Sequence, residues 1–207
     1  ARDRSFGVLA ANGSDGPLIS HVPFLLNEAG DQADLHLVRS NPIARALKSA
    51  LPVKLAISGG DSYVSPDWYD IDDQVPTWNY VAVHLTGTLE LRPQEELLDL
   101  LDRQSAWFED RLLPKPPWTT AKMNPVTMQK MMRMIVPCRM RITGVDGTWK
   151  LSQNKADAVR LAAADGVEAH GFGAEARKIS EASQTMNCVE AARFVPDEMV
   201  KTFGAHG

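Results

Sequence analysis

The clearest alternation of apolar and polar positions runs from Val75 to Leu91, VPTWNYVAVHLTGTLEL. Val81, Val83, Leu85, Leu89 and Leu91 fall on one face of a period-two strand, and Ala82, His84, Thr86, Thr88 and Glu90 on the other. Trp78-Asn79-Tyr80 reads as an aromatic, amide-bearing loop at the entrance of that strand. One apolar face is enough to bury a strand, so this cluster is surplus to folding and is a candidate for holding a flat ligand.

The same pattern predicts β-structure through the first third. Ser5–Ala11 and Ile19–Leu26 flank the turn-rich cluster Asn12–Pro17, and a further turn leads to Asp34–Val38. Asn41-Pro42 opens a short helix, with Asn at the cap, Pro in the first turn, and Ile43, Leu47 and Ala50 inward. Pro52 stops it, and strands are predicted at Val53–Ser58 and Ser62–Val64. Pro93 opens an amphipathic helix carrying Leu97, Leu101 and Phe108. Asn124-Pro125 opens another, rich in methionine, whose Met128, Met131, Met132 and Met134 are read as adaptable packing. Met140–Val145 and Thr148–Ser152 are predicted to form a hairpin turning at Asp146-Gly147. Beyond Asn154 the composition shifts to Ala, Glu, Arg and Lys, with short helices expected at Ala156–Ala164 and Ala174–Ala182.

Many short strands with a few helices predict a mainly β, α+β fold: a small barrel plugged by helices, filled by its own side chains. Residues 1–154 are expected to form that domain and 155–207 a helical tail. The chain enters a strand directly from Ala1, so natural residues are expected to precede it. No apolar run reaches the length of a bilayer span, and two cysteines without CxxC spacing fit a reducing cytoplasm.

The formal net charge of −4 argues against non-specific nucleic-acid binding by the whole surface. The charge is unevenly spread. From Arg111 to Val145 there is no Asp or Glu, while Arg111, Lys115, Lys122, Lys130, Arg133, Arg139 and Arg141 are basic. That stretch is either a solvated face opposite acidic neighbours or, alternatively, a DNA contact through residues 111–141.

Candidate chemistry is sparse. In LHLVRSNPIARAL, Leu35 to Leu47, a strand delivers Arg39 and Ser40 to a helix start capped by Asn41. A guanidinium and unpaired helix N–H groups would converge there on a phosphate, unless Asn41 itself satisfies those donors. His21, His36 and His84 fall in strands without metal-ligand spacing, and no GxSxG, P-loop or GxGxxG is present.

Taken in order, PLISHVPFLL, LHLVRSNP, SYVSPDWY, VPTWNYVAVHLTG and WKLSQN resemble the PaiB family of FMN-binding negative transcriptional regulators, from about Phe6 to Asn154. The resemblance implies an FMN-binding split β-barrel, a homodimer with FMN at the subunit interface, and a role in repressing transcription. The wider similarity to pyridoxamine-phosphate oxidase-like flavoproteins implies roles for particular residues. His21, Val22, Pro23 and Phe24 would offer main chain to the isoalloxazine, and His36 and Leu37 would lie on the next strand, near ribityl and phosphate. Arg39, Ser40 and Asn41 would hold the phosphate, while Trp78, Asn79, Lys150 and Gln153 would close the site. The oxidases place Arg at the position of His21 and Ser-Arg-Lys at Asn41-Pro42-Ile43, so a weaker phosphate clamp is expected here. Two alternatives accompany the regulator: an FMN-dependent oxidoreductase, or a haem module with His21 or His36 as axial ligand. A cofactor-free protein acting through partners is a further one. An absorption spectrum separates them.

Overall fold

The computed structural model describes residues 1–185; the later part of the predicted tail and Cys188 lie outside the described residues. Among the described residues are six strands, β1 (Phe6–Gly13), β2 (Gly16–Leu26), β3 (Gln32–Val38), β4 (Leu51–Val64), β5 (Thr77–Leu91) and β6 (Ile135–Lys150). Five α-helices accompany them: α1 (Pro42–Ala46), α2 (Leu97–Glu109), α3 (Pro125–Met132), α4 (Asp157–His170) and α5 (Ala176–Thr185). The strands close into a barrel in the order β1-β2-β3-β6-β5-β4. The split-barrel expectation is met.

The described residues pack as two compact units, 1–56 with 85–144, and 57–84 with 145–185. In the first, alternate residues of each strand point inward and are fully buried: Leu9, Phe24, Leu35, Leu55, Leu89 and Met140 among them. The β1–β2 hairpin turns tightly at Ser14-Asp15, with Gly16 at φ +122°. α2 is held to the outer face of the barrel by Asp34, whose carboxylate meets Arg103 of α2 and Arg139, its cross-strand partner on β6.

The second unit has its own core of Val64, Tyr69, Leu151, Ala163, Val167 and Ile179. The predicted tail helices, α4 and α5, therefore pack on their own chain, against the end of β4 and the 3₁₀ turn Pro66–Tyr69. Trp68 lies against Gly166 of α4 so closely that any Cβ there would enter its ring.

Several predicted boundaries shift. Asp146-Gly147 is no turn: β6 runs unbroken through it, because Gly147 is not among the glycines of positive φ that a type I′ turn needs. The two strands predicted at Val53–Ser58 and Ser62–Val64 are one, β4, which runs straight through Gly59-Gly60. Gly60 is small because Glu175 and Ile179 approach it, its Cβ position lying 2.9 Å from the Glu175 carbonyl oxygen. Trp78, Asn79 and Tyr80 belong to β5 rather than to a loop, the alternation sending Asn79 inward and both aromatics outward. α1 ends at Ala46, before Ala50.

Cys138 stands in the barrel interior, free and 1% exposed, and burial pushes its thiol up to about 12. Alkylation with iodoacetamide at pH 8, read by peptide mass spectrometry, should leave Cys138 unmodified in the native protein and modify it fully once the chain is denatured.

Candidate functional site

The barrel is not evenly zipped. The β2–β3 ladder pairs only Phe24 with Leu35, Leu25 with Asp34 and Leu26 with Ala33, although both strands continue. The cause is in the sequence. The Phe24 N–H donates to Ser5 O at 3.0 Å, on the β1 side. Strand alternation then turns the main-chain groups of His21 and Pro23 towards β3. Pro23 has no N–H to offer there, so the ladder stops. From Leu18 to Pro23, β2 is paired with β1 only, leaving an open main-chain edge.

α1 follows β3 directly and its N-terminus meets that edge. The Asn41 side chain accepts from the Ile43 N–H at 2.9 Å and donates to Ser20 Oγ at 2.9 Å. Arg39 is exposed and fixed, its Nε donating to Arg133 O at 2.7 Å and its Nη2 to Gln94 Oε1 at 2.7 Å. Ser40 is exposed beside it. A fixed guanidinium, two hydroxyls and an amide thus gather next to a strand edge whose peptide groups lack partners. That donor set fits a phosphate joined to a flat, hydrogen-bonding ring.

The other residues singled out from the sequence fall as follows. Val22, Phe24 and Leu37 point into the barrel core, so only their main chain is accessible to a ligand. The His21 ring turns outward and stacks on Phe6 at 6.3 Å. His36 faces α2. Burial lowers its pKa; Gln104 beside it opposes the shift in part, although neither His36 Nδ1 nor Gln104 Nε2 completes a well-aligned bond.

Within the second unit, Asn79 is 2% exposed and bonded to Ser152 Oγ at 3.2 Å, and Ser152 also meets the Tyr69 hydroxyl at 3.1 Å. This buried triad holds the end of β6. Gln153 caps the turn after it, accepting from the Leu151 N–H and donating to Trp149 O. Lys150 Nζ donates to Thr77 Oγ1 at 2.7 Å. Trp78 stands edge-on to Tyr63 at 6.2 Å and to Phe172 at 5.7 Å, and those two rings stack at 5.6 Å. Phe172 was not singled out from the sequence; it lies between Gly171 and Gly173, in the break between the two predicted tail helices, and nothing local marks it as a partner of Trp78. Among the described residues no group of three His, Cys, Asp or Glu gathers as a metal site.

A six-stranded barrel with one seam opened beside a cationic, hydroxyl-bearing corner is the architecture of a flavin-binding split barrel. Residues 1–144 match the family described as "Putative FMN-binding domain". The chain belongs to this FMN-binding family, of the PaiB type, and FMN is the cofactor that membership assigns. It is 27% identical to the "Protease synthase and sporulation protein PAI 2" of Bacillus subtilis, covering 74% of each chain. An uncharacterized protein of Aspergillus fumigatus is 26% identical over 82% of this chain and 85% of its own. Among solved structures, the FAD and heme binding protein of Mycobacterium smegmatis shares the fold, with a TM-score of 0.51 and 17% identity over 82% of this chain and 74% of that one.

Proposed function

We propose that this protein is a PaiB-type regulator that represses transcription and works as a homodimer, with FMN seated at the subunit interface. The observation that carries the reading is the open edge of β2 ending at Arg39, Ser40 and Asn41. In it, the main chain from His21 to Phe24 meets the isoalloxazine, Arg39 and Ser40 hold the phosphate, and Asn41 positions Ser20 next to them. His36 and Leu37 contribute backbone on the neighbouring strand. Trp78 and Lys150 are the exposed groups available to close the site, with Asn79 and Gln153 shaping the strand end that carries them. Bound FMN supplies a redox-active ring; the chain's own residues supply its seat.

The flavin-binding domain is taken as residues 1–154, with 155–207 an added helical segment. The name of the Bacillus relative concerns protease synthesis and sporulation, and regulation of that kind is proposed here, in the cytoplasm. Much of the basic stretch is already engaged: Arg111 with Asp3 O, Lys115 with Glu109, Lys122 with Pro117 O, and Arg139 with Asp34. DNA contact through 111–141, if it is the route of repression, rests on the remaining cations and will weaken steeply with salt.

The test compares FMN with riboflavin on the purified full chain, following flavin fluorescence and absorption. FMN should bind at least about tenfold more tightly than riboflavin, and Arg39→Ala should abolish that difference without weakening riboflavin. Equal affinity for the two in the unaltered protein would remove the phosphate corner from the proposal. A Soret band in place of flavin bands would favour the haem alternative.

A further inference from the structure

Arg92, Arg103 and Arg139 are each tied down by carboxylates: Arg92 by Glu90 and Glu96, Arg103 by Asp99 and Asp34, Arg139 by Asp34. Arg39 is held as firmly, but by neutral acceptors. Its main-chain N–H donates to Met134 O at 2.9 Å, and its Nε and Nη2 donate to Arg133 O and Gln94 Oε1, both at 2.7 Å. Amide oxygens orient a guanidinium without cancelling its charge. They also decide which edge of it is used. The N–H donors of an arginine lie in one plane, and Nε–H with the adjoining Nη2–H forms the inner edge. Both of these are taken. Nη1 and the second Nη2 hydrogen, the outer fork, have no partner among the described residues, and Arg39 is exposed. A fork of that shape matches two oxygens of a phosphate.

Gln94 sets this arrangement. It is half-buried in the 3₁₀ turn Gln94–Glu96 between β5 and α2, immediately ahead of two carboxylates, Glu95 and Glu96. Its Nε2 donates to Met132 O at 3.0 Å and to Ile135 O at 3.3 Å, where α3 turns into β6. Two carbonyls on one side require the amide NH₂ there, so Oε1 is the atom left to face Arg39. A glutamate in its place would have nothing to donate to those carbonyls and would neutralise the cation.

We infer that Gln94 is a positioning residue for the phosphate site: it locks the inner edge of Arg39 to the turn between α3 and β6, so that the outer fork is presented, still charged, before any phosphate arrives. The inference rests on the reading of Arg39 as the phosphate anchor and adds a residue that acts through it. A side chain ordered in advance does not have to be ordered on binding, which sets the size of the effect. The same hydrogen bonds cap carbonyls at the C-terminus of α3, so a change in stability alone does not separate positioning from support. Riboflavin does, because it has the ring and the ribityl chain but no phosphate.

The test measures FMN and riboflavin affinities by flavin fluorescence on the full chain carrying Gln94→Met, which keeps the length without the amide, or Gln94→Glu, which keeps Oε1 and adds a charge. The preference for FMN over riboflavin should fall about three- to tenfold in Gln94→Met and at least as far in Gln94→Glu, with riboflavin affinity unchanged in both. Should Gln94→Met not fold, Gln94→Glu decides on the same ratio. Arginine side-chain NMR, assigned through Arg39→Ala, should show a slowly exchanging Arg39 Nε–H in the unaltered protein before FMN is added, and faster exchange in Gln94→Met. The inference is overturned if both variants keep the unaltered preference while Arg39→Ala abolishes it, since Arg39 then acts without Gln94. It is equally overturned if riboflavin weakens as much as FMN, which makes Gln94 a structural support, or if the unaltered protein shows no protected Arg39 Nε–H. Equal affinity for FMN and riboflavin in the unaltered protein is a separate failure: the phosphate anchor itself falls, and this inference with it.

Discussion

Replacing Gly87 with alanine should lower stability by about 3 kcal/mol or more, the upper end of what overpacking costs. A thermal melt should show this as a drop of roughly 6–12 °C. Gly87 lies in β5 where β6 crosses it at close range. A methyl group there would be driven into the Arg141 carbonyl oxygen, with its carbon at 2.9 Å and the Ile142 Cα at 3.1 Å. These are backbone atoms in a barrel wall, and no rotamer change relieves the contact. A smaller effect would mean that β6 can shift without breaking its ladder to β3. An undisturbed melting temperature would show that the two strands are not held at this separation.

The second large effect is expected at Asp34. Its carboxylate receives Arg139 Nε at 2.6 Å and Nη2 at 3.2 Å, and Arg103 Nη2 at 3.1 Å. Burial alone would raise its pKa, but the hydrogen bonds and charges of Arg139 and Arg103 outweigh that and hold it below the usual carboxylate value. Asp34→Ala removes the shared partner of two guanidinium groups, one of them half-exposed and still paired with Asp99, and should cost about 1–3 kcal/mol, between the exposed and the buried ranges. The pH dependence follows from the sign of the shift. A depressed folded pKa gives stability that is complete above the unfolded value, about 4, and is lost as pH falls through the folded one. Denaturant midpoints between pH 5 and 2 should therefore fall more steeply for the unaltered protein than for Asp34→Asn. Parallel slopes would show that the pair contributes nothing in this window.

How far the sequence led depended on the range of the interactions involved. The β1–β2 hairpin, the two Asn-Pro helix starts and the Tyr80–Leu91 alternation are local devices, and local patterns predicted them. Both Asn caps form as expected, Asn41 on Ile43 and Asn124 on Val126 and Thr127. The failures lie where distant residues decide. Asp146-Gly147 has the composition of a turn, yet β6 continues because its pairing and the Tyr69–Ser152–Asn79 triad beyond it fix an extended chain. Gly59-Gly60 reads as a break until Ile179 is seen to need the room. At the candidate site, the resemblance and the Arg39-Ser40-Asn41 run were legible in the residues. That Asn79 and Gln153 are spent on their own backbone and Ser152 was not, since nothing in WKLSQN shows which way its amides turn. For the methionines read as packing the outcome is divided, Met128 and Met132 being half-buried beside Leu101 and Met131 and Met134 exposed, a split that their spacing alone does not show.

Pro23 stands within a strand of the barrel that has neighbours on both sides. An imide in a central strand is ordinarily a defect, but here it withholds a single donor at the seam with β3 and so decides where the sheet ends being self-sufficient. The residues before it form a short recruiting edge, which invites any extended segment to add itself as an extra strand. Pro23 itself limits how far such an intruder can register. A tightly held prosthetic group along that edge would then guard solubility as well as serve chemistry.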